Sequence, residues 1–182
     1  TDHNHFGASF LVSERVAGTS NAATWAADPE RAKNACREMA RVLAQLHSYA
    51  PADLGYSVEK ASRSPGELIA DEINRWTKLF RARRREPLPL QELPLLWLAR
   101  NIPPQLYQRP TRIVHADFGF HNLMFDENSN ITALLDWEFS LLGDPTQDLC
   151  FARLFVEPLM SWNEFLDMYR SFGGGEICKQ AM

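Results

Sequence analysis

The sequence predicts an α+β fold that is predominantly α, with several helices arranged around one small β-hairpin. Three observations predict it. Apolar residues recur at helical spacing between Asp28 and Arg85, the period shortens to that of extended chain from Thr111, and two helix-start signals follow one another after Gly143.

Taken in order, Ser9, Phe10, Leu11 and Val12 read as a strand, and residues 13–18 lead from it into a linker of small residues. Asp28 then caps a helix with Pro29 at its first turn, and Ala32, Cys36, Met39, Val42, Leu43 and Leu46 put one face in the core until Pro51 closes the run. Ser64-Pro65-Gly66-Glu67 has the form of a capping box. Ile69, Ile73, Trp76 and Phe80 mark the inner face of the helix it opens. Arg81, Arg83, Arg84 and Arg85 complement the dipole of its last turn and read as a solvated C-terminus, with phosphate binding as the alternative. A shorter helix around residues 90–99 stops before Asn101-Ile102-Pro103-Pro104. Trp76, Trp97 and Trp162 fall on helix faces and read as core.

Residues 112–114, 122–125 and 131–135 are short extended segments, and the polar, turn-prone residues 126–130 join the last two into a hairpin. Asp144, Pro145 and Gln147 supply the cap, first-turn proline and box-closing side chain of the next helix. Ser161 starts another, which Gly173-Gly174-Gly175 ends.

Composition narrows the function classes. With 45% hydrophobic and 23% charged residues the chain can bury one core, which sets aside disorder and a fibre. A net charge of −4 offers no basic field for a polyanion, so nucleic acid is not an expected partner. Cys36, Cys150 and Cys178 are odd in number and in no Cys-x-x-Cys spacing, which suggests neither a disulfide framework nor a thiolate metal site and fits a reducing cytoplasm. The most apolar stretch, residues 93–99, contains Pro94 and is far shorter than the ~20 residues of a membrane span, so no membrane association is expected.

The chemistry concentrates in Ile113-Val114-His115-Ala116-Asp117-Phe118-Gly119-Phe120-His121-Asn122 and, on the next strand, Leu135-Asp136-Trp137-Glu138. The spacing suits phosphoryl transfer, which needs one carboxylate to take the proton of an attacking hydroxyl and separate oxygens to hold Mg²⁺ against nucleotide phosphates. Asp117 can face the hydroxyl, the Asn122 carboxamide can turn its oxygen to the metal, and Asp136 supplies an anionic ligand; magnesium accepts such hard oxygens and fills its other positions with water or phosphate. Other readings stay open. Asp117 can cap a turn and Asn122 can satisfy loop backbone. His115 reads as holding the loop by hydrogen bonds, and His121 as structural. Asp144 reads as a cap, Asp148 as a first-turn carboxylate or a brace behind the loop, and Glu138 as a salt-bridge partner or a distal metal or substrate contact. His47 reads as a packed helix-end histidine.

His-x-Asp, four residues and Asn, then Asp136-Trp137-Glu138 and Gly143-Asp144-Pro145-Thr146-Gln147-Asp148, resembles the catalytic core of the aminoglycoside phosphotransferase and choline kinase family. The resemblance extends upstream to residues 10–18, which look like that family's strand and hinge, and to Leu43-Ala44-Gln45-Leu46-His47 at the end of its first large helix. It implies the C-terminal lobe of a protein-kinase-like fold with a small catalytic hairpin, Asp117 as base and Asn122 and Asp136 as metal ligands. The hinge backbone at Glu14, Arg15 and Val16 would be the adenine edge. Mg²⁺ and ATP (or GTP) would be the cofactors and a small-molecule hydroxyl the acceptor. Ala116 departs from the family's usual glycine.

The nine glycines form no phosphate-cradling loop, and Lys33, Lys60, Lys78 and Lys179 lie on helices, a loop and the tail rather than on a strand before the hinge. The expectation is that residues 1–18 end an N-terminal lobe and reach the hinge, that residues 19–182 form the C-terminal lobe, and that the ATP-gripping lobe is absent. A first residue of threonine, followed so soon by a strand, fits a chain entered midway. Two other classes remain: a metal-dependent hydrolase with zinc on His115, Asp117 and His121, and a non-catalytic pseudokinase module.

Overall fold

The computed structural model describes residues 12, 14–83, 86 and 89–182. The expected strand at residues 9–12, apart from Val12, and Arg84 and Arg85 lie outside the described residues. Helix α1 (Pro29–Ser48) starts where its cap demands: the Asp28 carboxylate accepts from the amides of Glu30 and Arg31 at 3.0 and 3.3 Å. Ala32, Ala35, Cys36, Met39, Ala40, Leu43 and Ala44 form its buried stripe, and the small residues among them let neighbouring elements approach closely.

A short helix α2 (Val58–Ala61) precedes α3 (Pro65–Arg83). The capping box is present, with Ser64 Oγ accepting from the Glu67 amide and the Glu67 carboxylate accepting from the Ser64 amide at 2.8 Å. The Ser64 amide and hydroxyl, both donating to it, hold the Glu67 carboxyl below the usual carboxylate range. Helix α4 (Pro89–Arg100) pairs with α3, and Arg81 forms an ion pair with Glu92 across that seam, so Arg81 has a tertiary partner as well as a place near the end of α3.

Two antiparallel ladders follow. Strand β1 (Arg112–Val114) pairs with β4 (Leu141–Gly143), Val114 opposite Leu141, and β2 (Leu123–Phe125) pairs with β3 (Ile131–Leu134), Leu123 opposite Leu134. The second ladder is the expected hairpin. Asp126 organises its turn by accepting from the amides of Asn128 and Asn130 at 2.9 and 2.8 Å. The first ladder was not anticipated, since three residues are too few to show alternation and its partner lies far along the chain.

Helix α5 (Thr146–Val156) is capped from Asp144, whose carboxylate takes the Thr146 amide at 2.9 Å while Gln147 reaches back to the Asp144 amide at 3.1 Å. Helix α6 (Trp162–Ser171) packs along α1 and ends with Gly173 at φ +89°, where the Gly174 amide bonds to the Tyr169 carbonyl at 2.9 Å.

The core lies between α1, α5, α6 and the hairpin, and includes Met39, Leu43, Phe118, Phe120, Leu123, Phe125, Leu149, Val156, Phe165 and Tyr169. Trp25, just before α1, belongs to it, edge-on to Phe120 with ring centroids 4.7 Å apart. Two tryptophans expected in the core are not there. Trp76 is 49% exposed and Trp97 62%, because α3 turns Ile73 inward and, among the described residues, no further element packs extensively over the outer side of the α3–α4 pair. Trp162 is half-buried against Phe165. No helix among the described residues is long and apolar enough to cross a membrane.

Candidate active site

Strand β1 delivers the chain into the loop that starts at His115, and that loop is fixed from both sides. Phe118 and Phe120 are buried in the core, while Asp117 before them is half-buried and His121 after them is exposed. Behind the loop, the fully buried Asp148 of α5 accepts from the His115 amide at 2.9 Å and the Ala116 amide at 2.7 Å. A carboxylate that takes two backbone donors in a dry interior fixes their position closely. His47, at the end of α1, donates from Nε2 to the same carboxylate at 3.1 Å, and its Nδ1 lies 3.0 Å from the Tyr169 hydroxyl. Burial pushes the Tyr169 phenol up to about 12, so it serves as a neutral hydrogen-bonding group. The brace role for Asp148 is therefore what the geometry displays, and His47 is part of the brace rather than a merely packed side chain. Nothing in the local spacing around His47 could have revealed this, because its partner is 101 residues away.

Ala116 stands at φ +67°, a left-handed conformation that favours glycine. The loop keeps that bend because Asp148 holds the Ala116 amide.

His115 is engaged at both ring nitrogens. Nε2 donates to the Leu135 carbonyl at 2.9 Å and Nδ1 accepts from the Asp117 amide at 3.3 Å, which fixes the tautomer by the chemistry of its partners. Trp137 covers the ring edge-on at 5.0 Å and donates its indole N–H to the Leu134 carbonyl. His115 thus ties the loop to the end of β3.

Asn122 closes the arrangement. Its Nδ2 donates to Asp117 Oδ2 at 2.9 Å and to the Asp117 carbonyl at 3.0 Å, which leaves Oδ1 facing away from that pair. The Asn122 carbonyl accepts from the Leu135 amide at 2.8 Å, and the next residue, Asp136, turns the chain at φ +62°. Asp117, Asn122 and the backbone carrying Asp136 therefore meet at one end of the β2–β3 hairpin. The side chains of Asp136 and Glu138 are exposed and make no hydrogen bond or ion pair with another described residue. An outward amide oxygen and an exposed carboxylate are the hard donors a divalent cation takes when water and phosphate complete its sphere.

The zinc arrangement is not built here. Both nitrogens of His115 are already used, and among the described residues no three His, Cys, Asp or Glu side chains are grouped to hold a metal ion.

Glu14, Arg15 and Val16 line an open cleft of about 650 Å³ together with Met124 and Leu135 of the hairpin. Residues 17–19 are pinned there. Thr19 exchanges two backbone hydrogen bonds of 2.9 Å with Phe125, Thr132 Oγ1 donates to the Ala17 carbonyl at 2.9 Å, and at Gly18 any Cβ would lie 2.6 Å from the Phe125 carbonyl oxygen.

A model of the phosphotransferase enzyme family matches residues 1–174. The chain belongs to this family. Acyl-CoA dehydrogenase family member 10 of Mus musculus is 34% identical over 128 residues, 70% of this chain and 11% of that protein. Acyl-CoA dehydrogenase family member 11 of Gallus gallus is 32% identical over 114 residues, 62% of this chain and 14% of that protein. The chain thus spans only 11% and 14% of these two curated relatives. Among solved structures, a candidate aminoglycoside phosphotransferase of Ralstonia eutropha superposes with a TM-score of 0.62 at 23% identity, over 92% of this chain and 54% of that one. Macrolide 2'-phosphotransferase MphH of Brachybacterium faecium gives 0.58 at 24% identity, over 86% and 49%. These phosphotransferase neighbours bear out the kinase-like, helix-rich fold with its small two-stranded sheets.

Proposed function

We propose that this member of the phosphotransferase family transfers the γ-phosphoryl group of ATP, or GTP, to a hydroxyl of a small molecule, with Asp117 as the base. The observation that carries the reading is the pairing of Asn122 Nδ2 with Asp117 Oδ2, which joins a base candidate and a metal-ligand candidate in one unit beside Asp136. Asp117 accepts the hydroxyl proton as the oxygen attacks phosphorus and the bond to the leaving nucleoside diphosphate breaks. Asn122 Oδ1 and the Asp136 carboxylate would hold Mg²⁺, which when bound neutralises charge on the phosphates. Asp148, His115 and Asn122 keep the base in place, and the cleft at Glu14, Arg15 and Val16 would take the adenine edge.

A second cleft, of about 510 Å³, lies between α3, α4 and β4, walled by Leu68, Ile73, Trp76, Leu98 and Leu141 and rimmed by charged side chains. Leu141 pairs with Val114 just ahead of the loop carrying Asp117, so this cleft is the acceptor side in our reading. Its walls suit an alcohol with an apolar body better than a polycationic aminosugar.

In this reading residues 1–18 end an N-terminal lobe and reach the hinge, residues 19–182 form the C-terminal lobe that binds substrate and Mg²⁺, and the ATP-gripping lobe lies outside these residues. The test is a screen of hydroxyl compounds with the full-length protein, Mg²⁺ and ATP or GTP, read as nucleoside diphosphate release. Asp117→Ala should lower transfer by about 10²-fold or more with nucleotide binding retained, and unchanged turnover would overturn the assignment. These 182 residues alone should work slowly or not at all; turnover by them at ~1 s⁻¹ or faster, within the usual kinase range, would refute the need for another lobe.

A further inference from the structure

The mechanism above leaves one chemically active side chain of the loop without a task. His121 Nε2 lies 3.3 Å from Asp117 Oδ2, the oxygen that also receives Asn122 Nδ2 at 2.9 Å. A carboxylate oxygen is acceptor only, so the ring nitrogen is the donor, and it carries that hydrogen whether the imidazole is neutral or charged. Both donors sit on Oδ2. Asp117 Oδ1 accepts nothing from any described residue, which leaves it for a hydroxyl.

The ring is placed for this contact rather than swinging in solvent. Its neighbours are Phe155, with centroids 5.7 Å apart, and Phe151, at 6.4 Å, both from α5. The other side is closed by Gly119, where an added Cβ would fall 2.6 Å from His121 Cε1. A residue larger than glycine there would displace the imidazole, so backbone and aromatic shelf together set its direction. The side chain is nevertheless 50% exposed, and that of Asp117 22%, so the pair is reachable from solvent.

On the reading of Asp117 as the base, we infer that His121 is a positioning residue, which with Asn122 anchors Oδ2 and so turns Oδ1 toward the attacking hydroxyl. A carboxylate free to rotate about χ2 would present either oxygen at varying angles, and the cost falls on the chemical step rather than on nucleotide binding. The 3.3 Å separation is long for a hydrogen bond, and contacts of this kind shorten when substrate is bound.

The test uses the full-length protein with Mg²⁺ and ATP, with water as the acceptor and ADP release as the readout, in wild type, Asp117→Ala, His121→Leu and His121→Gln. His121→Leu keeps the bulk against Phe155 without the donor, and His121→Gln restores an N–H at comparable reach. His121→Leu should lower kcat roughly 10-fold with KM for ATP unchanged, and His121→Gln should recover most of that loss. Equal kcat in His121→Leu and wild type would overturn the inference. So would a Gln variant no better than Leu, because a purely structural role would respond to bulk and not to the donor. Turnover unaffected by Asp117→Ala would instead defeat the assignment of the base, and this inference with it. Matching thermal unfolding of the His121 variants and wild type assigns any loss to positioning; a loss that follows unfolding would overturn it.

Discussion

Around Asp148 the His47 ring and two loop amides bond one buried carboxylate, with Tyr169 bonding His47 in turn, whereas along α3 and α4 the side chains of Trp76, Leu90, Leu93 and Trp97 are exposed. The first region is held by polar groups that have no alternative partners, because water cannot replace a lost bond in a dry interior. The second is held by the α3–α4 seam, by contacts of α3 with β4 and residues 104–107, and by surface ion pairs such as Arg63 with Asp71. In the proposed function the loop must keep its atoms within fractions of an ångström, while a cleft that admits an acceptor must leave apolar surface uncovered. The contrast shows where this fold spends its rigidity.

The sharpest way to break that contrast is Asp148→Ala, which leaves the amides of His115 and Ala116 and the His47 ring without their acceptor. We expect a loss of about 3–5 kcal/mol in urea unfolding, the range for removing one member of a buried charged network. A loss below ~1 kcal/mol would show that the loop does not depend on its brace. Leu43→Ala, in the buried stripe of α1, should come next at about 2–5 kcal/mol from lost burial and the cavity left behind. Ala116→Gly should act in the opposite direction. Releasing a left-handed alanine gains about 1–2 kcal/mol, and the extra freedom of glycine in the unfolded chain returns part of it, so thermal unfolding should show a net stabilisation of up to about 1 kcal/mol. Trp97→Ser should change stability by no more than about 0.5 kcal/mol, as expected for an exposed side chain with few partners. A change above ~2 kcal/mol would mean that the arm is packed as closely as the core, and the comparison would fail.

The helices were legible because their signals are local. Asp28 with Pro29, Ser64 with Glu67, and Asp144 with Gln147 each satisfy helix-end groups within a few residues, and each is found doing so. The link between Asp117 and Asn122 was legible for the same reason, since both sit in one tight loop. Strand β4 was missed because three residues carry no period. Trp76 and Trp97 were misplaced because helical spacing tells which residues share a face, but not whether another element covers it. The contact of His121 with Asp117 falls between these cases: the spacing made it possible, but only the shelf of Phe151 and Phe155 aims the ring.

By itself, the sequence determined the order of the longer helices, the hairpin and the neighbouring polar groups of Asp117 and Asn122, because caps, tight turns and that pair are satisfied by neighbours in the chain. The tertiary structure alone decided that Asp148, His47 and Tyr169 form one buried brace, that β1 finds β4, and that an apolar cleft stays open beside α3. Those depend on groups brought together across long separations, where burial sets both the cost of an unpaired polar atom and the value of an apolar surface left exposed.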